Sequence, residues 1–301
     1  LRKSNNLAKS WLFNNLHKNG LFQYLYNPKT MESSEENNAI RQLMASRVLA
    51  QESSGDTKLL KLHQKNLDFI LSSWYKEDKN GGYIFYNSKS KLGANAMMLR
   101  VLIDSPFFEK YKDKAGKLAK GILFLQKRSG AFTPWYIKPN YIYNEDYLLT
   151  FYSGEALLSL VEYYEKTGDK KYLNASLLSA DFYINRYVKD IDKNYYPAYI
   201  PWYTLALSKL YKITNDEKYV RVVFALNDKL LEIQDVFFYA GRFYNPKTPQ
   251  YGTPHSSSDA VYTEGLAYAY EIALDVNDKK HEKRYYKALK IAVSNLISLQ
   301  Y

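Results

Sequence analysis

Glu155 is a carboxylate where folding or function could equally call for one. It lies in the stretch YSGEALLSL, one turn into an otherwise apolar helical run. A carboxylate there must be satisfied by an arginine, a hydroxyl or backbone donors, or else serve a site. The preceding stretch, YIYNEDYLLTFY, sets the acidic pair Glu145 and Asp146 in an aromatic loop between Tyr143 and Tyr152. A second group, His255, Asp259, Tyr262 and Glu264, falls in PHSSSDAVYTEG. Histidine is the side chain best suited to proton transfer near neutrality, although a lone loop histidine is also ordinary solvated surface. Asn38, Arg41 and Gln42 in ENNAIRQ share one helical face, as polar ligands for a bound group or as a cap followed by a solvated face. Asn95 follows Gly93 in the first turn of another helix, where small residues permit close approach of a ligand or of a packed neighbour. Tyr199 and Trp202 in AYIPWYTLAL can stack on sugar faces or bases, or plug the centre of the fold.

The elements that must position these residues are helices. Apolar residues recur at three- and four-residue steps through 39–50, 59–71, 94–103, 115–125, 156–164, 172–183, 205–213, 219–233, 266–274 and 285–299, with a further helix at 5–16. Four connections are short and alike: SSGD, KTGD, ITND and DVND. In each, Gly or Asn supplies the residue that ends one helix and Asp caps the next. The other connections, 73–91, 126–152, 187–201 and 234–259, are long and rich in aromatics, and GGYIFY within the first suits a short strand. Alternating short and long connections places the short turns on one rim of a ring of hairpins and the long loops on the other. The expected fold is therefore all-α, an (α/α) toroid of about five to six helical hairpins. It forms a single domain over 1–301, and residues 1–20 add a helix that completes the ring.

Composition narrows the chemistry. The chain has 301 residues, 31 of them tyrosine, with no cysteine and four histidines. Cysteine-ligated zinc, iron–sulfur clusters, thiol nucleophiles and disulfides are excluded, and neither metal-ligand spacing nor a glycine-rich phosphate loop occurs, so no metal or cofactor is expected. No GxSxG elbow supports serine hydrolase chemistry. The net charge of +11, from 42 Lys+Arg against 31 Asp+Glu, favours acidic partners. Nucleic acid is not expected among them, because the aromatic rim carries its own carboxylates, which repel phosphate. No apolar run is long enough to span a membrane. The absence of cysteine and of an initiator Met fits an exported protein.

Five stretches taken together resemble the six-hairpin α/α-toroid proteins of carbohydrate metabolism: ENNAIRQLMASRVLAQ, KLGANAMMLRVL, YSGEALLSLVEYYEKTGDKKYL, AYIPWYTLALSKLYKITNDEKYV with the following LLEIQ, and SDAVYTEGLAYAYEIA. The resemblance covers roughly residues 36–300 and is strongest to domains like the C-terminal part of D-glucuronyl C5-epimerases. N-acylglucosamine 2-epimerases and unsaturated glucuronyl hydrolases are more distant. It implies an acidic oligo- or polysaccharide as partner. For an epimerase it implies Tyr152 or Tyr262 moving the C5 proton, Arg41 pairing with the uronate carboxylate, and His255 or Glu264 assisting. For a hydrolase it implies two carboxylates drawn from Glu145, Asp146, Glu155, Asp259 and Glu264. A noncatalytic glycan-binding protein would keep the aromatics without a proton donor and acceptor pair. The paired histidines of the 2-epimerases have one counterpart here, His255.

Overall fold

The computed structural model describes residues 1–237, 240–251 and 255–300. Helices make up 67% of the described residues, the all-α class expected from the periodicity. In order they are α1 (Arg2–Asn14), α2 (Ala39–Glu52), α3 (Thr57–Ser73), α4 (Leu92–Asp104), α5 (Phe108–Phe124), α6 (Glu145–Thr167), α7 (Lys170–Tyr183), α8 (Ile191–Asn194), α9 (Ile200–Thr214), α10 (Glu217–Leu230), α11 (Ser256–Asp275) and α12 (Lys279–Ser298). The chain divides into two compact units, Leu1–Ala175 and Ser176–Tyr301, with the boundary inside α7.

The four short turns are built as their sequences dictate. Gly55, Gly168, Asn215 and Asn277 all have positive φ. Asp56, Asp216 and Asp278 then cap α3, α10 and α12 by accepting hydrogen bonds from first-turn amides, and Asp169 accepts from Lys171 N in the same way. Each cap replaces a partner that the first helical amides would otherwise lack.

In the first unit α4 packs between α2 and α6, with α3 on α2 and α5 on α4. Every residue of α4 from Leu92 to Ile103 is buried. Among these is Arg100, 1% exposed. It is matched by Glu162 of α6 in a two-pronged pair, Nε to Oε2 at 2.6 Å and Nη2 to Oε1 at 3.0 Å. Arg47 of α2 reaches the same carboxylate at 3.6 Å and Asp104 at 2.7 Å, so three helices share one ionic tie. Short antiparallel pairs decorate this unit: β1 (Tyr26–Asn27) with β2 (Glu32–Ser33), β3 (Tyr75–Asp78) with β4 (Gly81–Ile84), and β5 (Ser90–Lys91) with β6 (Trp135–Ile137). The GGYIFY segment thus supplies a strand, as its composition suggested. The third pair sets Lys91 opposite Trp135 at the entrance to α4, and Leu92 N donates to Pro134 O.

In the second unit α9 and α11 pack together, with α10 against both and α12 on α11. α6 and α11 start furthest ahead of where periodicity indicates. α6 begins at Glu145, where Asn144 accepts from Tyr147 N, and α11 begins at Ser256 with His255 as its cap. Their opening residues mix tyrosine with polar side chains and so carry no clear apolar period. Among the described residues no helix is long and apolar enough to cross a membrane.

Candidate active site on α6 and the amino end of α4

The early start of α6 changes the setting of its residues. Glu145 and Asp146 occupy the first turn rather than a loop, and Tyr152 and Glu155 lie two to three turns in, side by side on the buried face. Glu155 is 4% exposed. Its Oε2 has no hydrogen-bond partner. Burial pushes its carboxyl up to about 7, against the pull of Arg100, Arg41 and Lys91, which favour the charged form. Tyr152 is also buried, and burial first, then the Glu155 charge, holds its phenol well above the ordinary value. Together they form a carboxyl that exchanges protons near neutrality beside a phenol that keeps its own.

The surroundings of the pair are cationic and aromatic. Lys91 is half-buried; burial, and then the neighbouring Lys89, lower its pKa, while Tyr141 and Glu155 act in the opposite sense. Lys89 Nζ lies 5.3 Å over the Tyr141 ring. Tyr143, 45% exposed, stands edge-on to Trp135 at 6.1 Å and tilted against Tyr141 at 6.1 Å. A cleft of about 110 Å³ opens beside this group, lined by Asn38, Ile84, Tyr86, Lys89 and Lys91 among others. Asn37 lines both this cleft and an adjoining open groove of about 610 Å³ formed with residues 17–36. Sequence reasoning overlooked Lys89 and Lys91, which directly precede α4, and Trp135, which only the β5–β6 pairing brings to them.

The other candidates of this unit divide between site and scaffold. Arg41 is exposed in the first turn of α2, and its charge is felt at Glu155. Asn38 caps α2, its Oδ1 accepting from Ile40 N and Arg41 N at 3.0 and 3.2 Å, and the same residue lines the cleft. Gln42 is buried and clamps Phe22 by both its amide groups, with Phe22 N donating at 2.8 Å and Nε2 donating to Phe22 O at 2.7 Å. These bonds occupy it structurally. Asn95 accepts from Ile84 N at 2.8 Å and holds β4 against α4, while its buried Nδ2 has no partner. Glu145 pairs with Lys138 at 2.7 Å on the surface, and Asp146 sits beside it in the first turn of α6.

The second unit offers a different picture. Asp259, 1% exposed, accepts from Arg242 Nε at 3.1 Å and from Phe243 N at 3.0 Å. It fastens the segment before α11 to that helix. Tyr262 is buried edge-on against Phe243 at 5.5 Å, and Glu264 is exposed. His255 caps α11, with Nδ1 and Nε2 near the hydroxyls of Ser257 and Ser258 at 2.8 and 2.9 Å. Tyr199 is fully buried and stacks on Tyr187 with centroids 4.7 Å apart, and Trp202 is buried beside it in sequence. Both rings belong to the packed interior, the alternative that the sequence left open. No cluster of three or more His, Asp or Glu side chains among the described residues is arranged to hold a metal ion.

Known structures share this architecture. Cellobiose 2-epimerase from Bacillus thermoamylovorans B4167 matches with a TM-score of 0.73 at 14% identity, over 97% of this chain and 86% of that one. A sugar epimerase from a ruminal bacterium matches at 0.70 and 13%, over 96% and 83%. An unsaturated glucuronyl hydrolase specific for heparin matches at 0.67 and 13%, over 99% and 84%. The fold is the six-hairpin α/α toroid. No family model and no curated sequence matches the chain. At such identities the toroid alone is shared, and the chemistry must come from this chain's own side chains.

Proposed function

We propose that this α/α-toroid protein is a carbohydrate-active enzyme that moves a proton on an acidic sugar residue, a uronate C5-epimerase type of reaction. The supporting observation is Glu155, a buried carboxylate with an unpartnered oxygen, a pKa raised to about 7, and the cations Arg100, Arg41 and Lys91 acting on it. Several known structures of this fold are named for sugar epimerisation, isomerisation and glycoside hydrolysis, which supports a saccharide substrate.

In this reading ionised Glu155 takes the proton from C5, and the C–H electron pair passes into the substrate carboxylate. The anion that develops needs positive charge nearby, and Arg41 and Lys91 supply it. Tyr152, holding its proton, is the donor for reprotonation, and delivery to the face of C5 opposite the one deprotonated would invert the centre. A raised phenol pKa suits delivery of a proton rather than its abstraction, so the roles expected from the family resemblance divide here between carboxylate and phenol. Tyr141 and Tyr143 offer exposed rings for sugar faces, and the groove beside Asn37 has room for further units of a chain. Hydrolysis by two carboxylates is less well supported, since Asp259 is held by Arg242 and Phe243 and Glu145 by Lys138.

The test is incubation with uronate-containing oligosaccharides of heparosan, alginate and pectin type in deuterated water. Deuterium at C5 without new reducing ends is the expected result. New reducing ends would replace epimerisation by hydrolysis, retention on the glycan with neither change would leave a binding protein, and no interaction across the panel would remove the carbohydrate reading.

A further inference from the structure

Gly93 is the second residue of α4 and has no positive φ, so backbone conformation does not demand glycine there. Space does. A Cβ at this position would fall far inside van der Waals contact of Glu155 Oε2, and 2.5 Å from Cδ1 and 2.8 Å from Cε1 of the Tyr152 ring. One missing methyl group therefore admits both residues to which the proposed reaction assigns the proton. The surface they lie on is the first turn of α4, whose cap residue Lys91 offers no side-chain hydrogen bond to the first amides. The amino end of a helix carries partial positive charge, and Glu155 Oε2, buried and without a partner, is set against it.

We infer that Gly93 is a positioning residue of this site, whose bare backbone sets the Glu155 carboxylate and the Tyr152 ring in register against the first turn of α4. The inference rests on the proton-transfer reading of the site, but its geometric content can be measured without substrate. A side chain at 93 drives the carboxylate away from α4 and out of its buried position. Its titration then returns toward the ordinary carboxylate range, because burial is the largest cause of its elevation.

The experiment follows the Glu155 carboxyl stretch by infrared difference spectroscopy across pH in the intact chain, with Glu155→Gln assigning the band. In Gly93→Ala the titration midpoint is expected to move down from about 7. In Gly116→Ala, where the added methyl meets only the Tyr163 hydroxyl at 3.3 Å, it is expected to stay in place. Melting temperatures provide a second readout. Alanine for glycine inside a helix is ordinarily stabilising, so Gly93→Ala is expected to lower the melting temperature of the native chain but not that of the Glu155→Ala/Tyr152→Ala variant, which has room for the methyl. Where turnover is measurable, a displacement of about 1 Å corresponds to roughly a 100-fold loss of kcat, with the acid limb of the pH profile moving with the infrared midpoint. An unchanged midpoint in a folded Gly93→Ala, or an equal cost of the substitution in both backgrounds, overturns the inference. An altered midpoint in a protein with no action on any saccharide would leave it standing while removing the proposed function.

Discussion

Glu155 and Glu162 lie two turns apart on the same buried face of α6, and they have opposite fates. Glu162 meets Arg100 through two hydrogen bonds and Arg47 through a third contact, so its charge is answered on every side. Glu155 has cations near it but none in contact, and one of its oxygens accepts no hydrogen bond. A paired buried carboxylate ties helices together; an unpaired one is held at a pKa where it can change charge. The difference separates scaffold from chemistry within a single helix.

The largest expected effect comes from removing the unpaired member. Glu155→Gln should cost about 10²- to 10⁴-fold in kcat, the usual worth of a positioned acid or base, while the melting temperature holds or rises. A folded variant that keeps full turnover would end the catalytic assignment. Glu162→Ala should do the reverse, leaving Arg100 buried without its partner at a cost of ~3–5 kcal/mol, read by urea denaturation. A loss below about 1 kcal/mol would mean that the tie contributes little.

The comparison also sets a pH dependence. Glu155 titrates near 7 in the folded chain and near 4.5 when unfolded, so between these values the folded state binds more protons. Its contribution is fully present below pH 4.5 and is lost as the pH rises toward 7, amounting to about 3 kcal/mol over that window. In Glu155→Gln that part of the stability curve should be missing. The smallest effect is expected from Lys91→Met. Losing a cation that favours the charged form of Glu155 should move the acid limb of turnover upward and weaken an acidic ligand by no more than about fivefold, the scale of a partly exposed charge pair.

Much of the fold was legible in the sequence because its signals are local. The Gly or Asn followed by Asp that joins α2 to α3, α6 to α7, α9 to α10 and α11 to α12 is written in four residues at each turn. Glu155 was legible as a carboxylate in an apolar run. Glu162 sits in the same run and escaped notice, and nothing local separates the two, since its partner Arg100 lies far away in the chain and meets it only when α4 packs on α6. The contacts of Asp259 were hidden for the same reason, because Arg242 and the amide of Phe243 reach it from across a loop. Trp135 depended on the pairing of β5 with β6, two strands too short to announce themselves. The residues that sequence could not sort are those whose meaning is a distant contact.

The tyrosines buried in the second unit have a consequence outside catalysis. Tyr183, Tyr187 and Tyr199 stack in series, with centroids 5.7 and 4.7 Å apart and planes within 19° and 12° of parallel, and Tyr203 closes on all three. Phenol rings held so near one another couple their electronic transitions, which gives the unit an intrinsic optical label. Its near-ultraviolet circular dichroism should report the tightness of this stack directly, so that loosening around α9 can be watched in unmodified protein while the far-ultraviolet signal of the helices stays constant.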